Sequence, residues 1–148
     1  MTTTPYALSF FAPGVPATKG SLDAVPVPGT RKVHMRAGNQ RAQDAWSSAV
    51  AKAAREAHTA LRAPYAGPVE VICQFVLPIT ARRRSAIAYQ AGDLDKLERC
   101  VWDALTGVVF VDDVQVAMSG ASKRMAAPGE MSGATINVRF IPTDESED

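Results

Sequence analysis

Apolar residues recur along this chain with two different periods, and those periods predict its elements. From Val69 to Leu77 the alternation is strict: Val69, Val71, Cys73, Phe75 and Leu77 share one face, while Glu70, Ile72, Gln74 and Val76 share the other. That is a strand with one apolar and one half-apolar face, ended by Pro78. Tyr6 to Phe11 reads as a first strand, closed by Pro13-Gly14, and Thr135 to Ile141 as the last, with Ile136, Val138 and Phe140 alternating against Asn137 and Arg139. Val114 to Met118 is a further short strand. Between Val15 and Gly38 the composition turns to Pro, Gly and basic residues, with extended pieces such as Lys32-Val33-His34-Met35.

A period of three to four marks two helices. Asn39 can cap the first, in which Ala42, Ala45, Trp46, Ala49, Ala53, Ala57 and Leu61 form a stripe of small residues interrupted by one large one. Such a face packs closely on a sheet. The second starts near Asp93 and runs to about Leu105, with Leu94, Leu97, Val101, Ala104 and Leu105 inward and Thr106-Gly107 closing it. Together these elements make a single α+β domain, a small mixed sheet packed with two main helices, over residues 1–142. Residues 143–148 form an acidic tail expected to be disordered.

Composition narrows the class only slightly. The 148 residues suit one domain, and no apolar run approaches the length of a membrane span. Neither a signal peptide nor a membrane segment is visible, and Cys73 and Cys100 lack metal-like spacing, so a reduced, cytoplasmic protein is expected. The net charge of +1 conceals a basic body, because Asp144, Glu145, Glu147 and Asp148 concentrate acid at one end. A basic surface suits phosphate without proving it.

The chemistry sits in the acids. Asp93 and Asp95 open the second helix, where Asp93 can cap free amides and both meet the positive end of the helix dipole. A second pair, Asp112-Asp113, stands just before the strand that opens at Val114. If the helix and the Val108-Val111 connection fold back, three or four carboxylates converge and repel one another, and a divalent cation such as Mg²⁺ or Mn²⁺ would relieve that. The ordinary alternative is two acids in a first helical turn and an unrelated exposed pair. A structural calcium loop and a sugar-nucleotide transferase using Asp93-x-Asp95 are further alternatives, the latter needing a larger domain than this chain has room for.

The run Gly92-Asp93-Leu94-Asp95-Lys96-Leu97-Glu98-Arg99, followed by Trp102-Asp103-Ala104-Leu105-Thr106-Gly107-Val108-Val109-Phe110-Val111-Asp112-Asp113-Val114-Gln115-Val116, resembles the signature of the RusA family of Holliday junction resolvases. Gly14-Val15-Pro16-Ala17-Thr18-Lys19-Gly20-Ser21 is similar to that family's N-terminal entry. The resemblance implies a Mg²⁺-dependent endonuclease (Mn²⁺ as substitute) that resolves four-way DNA by paired phosphodiester cleavage in recombination and repair, acting as a homodimer, with a phage or prophage setting. It implies metal-binding acids at Asp93, Asp95 and Asp113, with Asp112 adjacent. DNA contacts are expected from Lys19, Lys96, Lys123 and the run Arg82-Arg83-Arg84. The family's lysine in this helix falls at Arg99 and its common asparagine at Lys96, two departures. Arg99 keeps the charge and can grip a carboxylate or phosphate, but it cannot give up a proton. A protein that binds junctions with weak or lost cleavage is therefore the alternative outcome.

Overall fold

The computed structural model describes residues 7–20, 22–26, 28–31, 33–37, 40–58, 63–79 and 92–143. Strands β1 (Ala7–Pro13), β4 (Val69–Leu77), β5 (Val116–Met125) and β6 (Gly133–Phe140) form one sheet in the order β1-β6-β4-β5. β6 runs antiparallel to both β1 and β4, whereas β5 runs parallel to β4, so the sheet is mixed. A separate hairpin pairs β2 (Leu22–Pro26) with β3 (Val33–Ala37). Helices α1 (Gln40–Ala57) and α2 (Leu94–Leu105) complete the fold, which is the expected α+β arrangement.

Among the described residues, the helices pack on one face of the sheet. Val69, Val71, Cys73, Phe75 and Leu77 of β4 lie buried with Ala134, Ile136, Val138 and Phe140 of β6 and Leu8 and Ala12 of β1. α1 adds Trp46, Val50 and Ala54; α2 adds Leu97, Cys100, Val101, Ala104 and Leu105. The inward stripe of α1 thus falls on Val50 and Ala54, with Ala49, Ala53 and Ala57 only partly buried beside it. Trp46 fills the space that the small residues leave, as its position predicted. Both cysteines are buried and free, and burial, with Glu98 nearby, pushes the Cys73 thiol up to about 12. Neither is poised for chemistry.

The parallel pairing of β4 with β5 requires a crossover, and α2 lies in it. The helix therefore returns across the sheet and ends where β5 begins. Gly107, in a left-handed conformation at φ +82°, turns the chain at that end. A 3-10 turn at Asp113–Gln115 then leads into β5, which is longer than the five residues its apolar content suggested. Among the described residues no helix is long and apolar enough to cross a membrane. Tyr6, Asn39, Leu61, Arg82, Arg83, Arg84 and residues 144–148 of the acidic tail lie outside the described residues.

His58 follows the end of α1, 7% exposed and tilted against the Phe140 ring at 6.3 Å. Burial lowers its pKa, with the Ala63 backbone acting the other way. A folded-state value below the unfolded one, about 6.5, contributes stability that is complete above pH 6.5 and is lost as pH falls through the lowered value. Urea midpoints taken from pH 7.5 to pH 5 are expected to fall, and His58→Leu to flatten that fall.

Candidate active site

α2 carries its polar residues on a face turned from the core. Asp93 stands at its N-cap, in an extended conformation, but its side chain makes no capping hydrogen bond. The carboxylate instead meets Lys96 one turn on, at 3.4 Å. The expected capping role is therefore replaced by an exposed ion pair, worth little to stability. Asp95 follows in the first turn, exposed. Glu98 lies one turn further, against β5: burial foremost raises its pKa, the Ser119 hydroxyl pulls it down and Asp95 pushes it up again. Lys123, on the same face of β5, donates to the Gly92 carbonyl just ahead of the helix.

The second acid pair is held by one side chain. Gln115 Oε1 accepts from the amides of Val111 and Asp112, both at 2.8 Å, and its Nε2 donates to the carbonyls of Tyr65 at 2.8 Å and Gly67 at 2.7 Å. A primary amide has two donors and two acceptor lone pairs, and here all are used. Asp112 Oδ1 in turn accepts from Val114 N at 3.0 Å, closing a capping box around the turn. Asp113 is thereby presented at a defined place with its own carboxylate left exposed. Gln115→Met is expected to cost about 2–4 kcal/mol in urea unfolding and to displace Asp113. A glutamate there should do no better, since it cannot donate to the two carbonyls.

Asp113 faces a cavity of about 340 Å³ shared with Lys19, Arg99, Trp102 and Asp103. Lys19 arrives from the segment between β1 and β2 and forms an ion pair with Asp103. Its backbone amide donates to Lys96 O at 3.0 Å, and the next amide, Gly20, donates to Gln43 Oε1 at 3.0 Å. Desolvation raises the pKa of Asp113; Asp112, by hydrogen bond and charge, and Asp103 raise it further, while Lys19 opposes them. Carboxylates that repel one another in this way are hard oxygen donors suited to a divalent cation. The cavity brings together Asp113, Lys19 and Arg99. Asp93 and Asp95 lie on the opening turns of α2, and from Asp95 to Asp103 the helix rises by about 12 Å. Among the described residues, no three acidic, histidine or cysteine side chains are grouped so as to hold an ion in their present positions.

The family model of Endodeoxyribonuclease RusA matches residues 23–139, which takes in both acid pairs and most of the chain. The chain belongs to the RusA endodeoxyribonuclease family. No curated protein matches it. The Gly14–Ser21 stretch that also resembles the RusA entry precedes the matched residues, yet it delivers Lys19 to the same cavity as Asp113. Arg99 lines this cavity too.

Three contributors were not assigned a site role from the sequence. Asp103 stands four residues after Arg99 and eight after Asp95, a spacing that puts it on their side of the helix and could have revealed it. Trp102, partly buried, supplies a wall of the cavity. Glu98 is one more acid on the helix, and the arrival of β5 makes it a partly buried one.

Proposed function

We propose that this RusA-family chain is a Mg²⁺-dependent, structure-specific endonuclease that resolves Holliday junctions by paired phosphodiester cleavage in recombination and repair. The observation that carries the reading is the cavity in which two cations from distant parts of the chain, Lys19 and Arg99, face Asp113. Cations beside carboxylates suit a phosphodiester, which needs its charge balanced while water is activated next to it. Asp95 and Asp113, with Asp93 and Asp112 beside them, would have to draw together to hold Mg²⁺, or Mn²⁺ in its place; the ion would supply charge neutralisation at the phosphate and activation of water.

The remaining work belongs to side chains. Arg99 grips a phosphate oxygen through its planar fork, and Lys19 approaches from the other wall. Lys96, Lys123 and the Arg82-Arg83-Arg84 run add phosphate contacts, so binding should weaken steeply as salt rises. A four-way junction has approximate two-fold symmetry, and a homodimer offers two sites related by the same operation. The sheet face turned away from the helices, with Phe11, Ile72 and Met118 exposed, is apolar enough to serve a second subunit. Such a protein would act in the cytoplasm of its host, bacterial or phage-infected.

Purified protein incubated with a synthetic four-way junction is expected to give paired, symmetric nicks with Mg²⁺ or Mn²⁺, little with Ca²⁺ and none with EDTA. Arg99→Ala should lower the rate by about tenfold or more. The arginine at the lysine position favours a second reading, a junction-binding protein with weak cleavage. Tight binding in Mg²⁺ without nicks would establish that reading and overturn the enzyme.

A further inference from the structure

The cavity holds an ion pair that fold stability does not explain. Lys19 and Asp103 come from positions 84 residues apart, and their side chains are 48% and 38% exposed. An exposed pair of this kind adds little to folding, since water screens it and two side chains must be ordered to make it. Yet the backbone around Lys19 is fixed with some care. Gly14 N donates to Ser132 O at 3.1 Å, Ser132 Oγ donates to Gly14 O at 2.7 Å, and Ala17 is buried. At the other end of the segment Lys19 N is bound to α2 and Gly20 N to α1. The arm is pinned at both ends, and the lysine side chain then runs along α2 to the cavity.

Two carboxylates compete there for one ammonium. Lys19 lies within electrostatic reach of Asp113 as well as in contact with Asp103. Were it to settle on Asp113, it would neutralise the carboxylate that the cleavage reading needs. Contact with Asp103 avoids this. An ammonium has three donors, so one can remain on Asp103 while the others meet a phosphate oxygen. We propose that Asp103 is a positioning residue for cleavage, holding the Lys19 ammonium at the cavity rim, toward the incoming backbone phosphate and off the Asp113 carboxylate. This inference rests on the reading of the cavity as the cleavage site.

The test uses full-length Asp103→Asn, Asp103→Glu, Lys19→Met and the Lys19→Met/Asp103→Asn double variant, with Asp113→Asn as reference. Single-turnover cleavage of a synthetic junction is measured in Mg²⁺, and junction affinity separately in EDTA. Asp103→Asn is expected to slow cleavage by about 10- to 30-fold, the scale of a misplaced catalytic contact. It should leave affinity in EDTA unchanged or raise it severalfold, because an acid has gone from the DNA-facing surface. A merely structural role would weaken both together. Asp103→Glu should recover to within about threefold of wild type, and the double variant should be no slower than Lys19→Met, because residues acting through one contact are not additive.

Wild-type cleavage by Asp103→Asn would overturn the proposal. So would a full multiplicative loss in the double variant, which makes Asp103 act independently of Lys19, or a raised Mg²⁺ requirement in Asp103→Asn, which makes it an ion ligand in its own right. If Asp113→Asn is inactive while Asp103→Asn cuts normally, only the positioning role fails; if Asp113→Asn also cuts normally, the cleavage site lies elsewhere.

Discussion

Asp95→Asn and Asp113→Asn are each expected to lose junction cleavage by on the order of 10²-fold or more, while binding the junction in EDTA at least as tightly as wild type. Asparagine keeps the shape of aspartate and removes only its charge, so packing on α2 and in the Gln115-held turn should survive. What disappears is a hard anionic oxygen. If these carboxylates hold Mg²⁺, an amide oxygen binds the ion far less well, and the phosphate loses its neutralising partner in the transition state. Removal of a negative charge from a DNA-facing surface acts in the opposite direction on affinity. The two measurements therefore move apart, which general destabilisation cannot reproduce. Single-turnover rates in Mg²⁺ beside gel shifts in EDTA decide the matter, and normal cutting by either variant would remove that residue from the proposed site.

Gly133→Ala is expected to be strongly destabilising. The residue opens β6 opposite Pro13 of β1, at φ +153°, a region that side chains rarely enter. An added Cβ would stand 2.2 Å from the Ala12 carbonyl oxygen and 2.6 Å from Phe11 Cζ. The aromatic ring can swing aside, but the carbonyl belongs to the paired backbone of β1, so the strands must part or the sheet must bend. Strain and clash together should cost about 3 kcal/mol or more, read as a lower urea midpoint. Gly107→Ala provides the control. Gly107 also has a positive φ, of +82°, but nothing lies within 4 Å of its would-be Cβ. Only the backbone preference is then lost, about 1 kcal/mol. Equal losses at the two positions would refute the steric argument.

These contrasts also mark how far the sequence could be read. β4 was legible to both ends because it is central, buried on one face and followed by proline. α2 was legible because its apolar stripe is long and its closing glycine unambiguous. β5 was underestimated: as an edge strand, most of it is half-buried or exposed, so Ser119-Gly120-Ala121-Ser122-Lys123 carries almost no alternation to detect. On α1 the inward face falls one position along from several of the predicted alanines, because in a run so rich in alanine the periodicity is nearly flat and Val50 and Ala54 decide the register. The acid pairs and Arg99 were visible as residue types at telling spacings. Their partners were harder. Gln115 reaches back to Tyr65 and Gly67, and Asp103 meets Lys19 across 84 residues, relations that tertiary structure alone creates.

The crossover between the two parallel strands has a bearing on how this site is inherited. α2, the turn at Asp112-Asp113 and Lys123 all fall between the end of β4 and the end of β5, on one continuous stretch of gene. Lys19 does not; it is encoded near the start and joins them only through the pinned arm. An exchange of segments between related genes could move the whole carboxylate set in a single event and leave the lysine behind. Hybrids of that kind would carry the acids of one parent and the ammonium of the other, and their fitness would turn on whether position 103 still suits the lysine it receives.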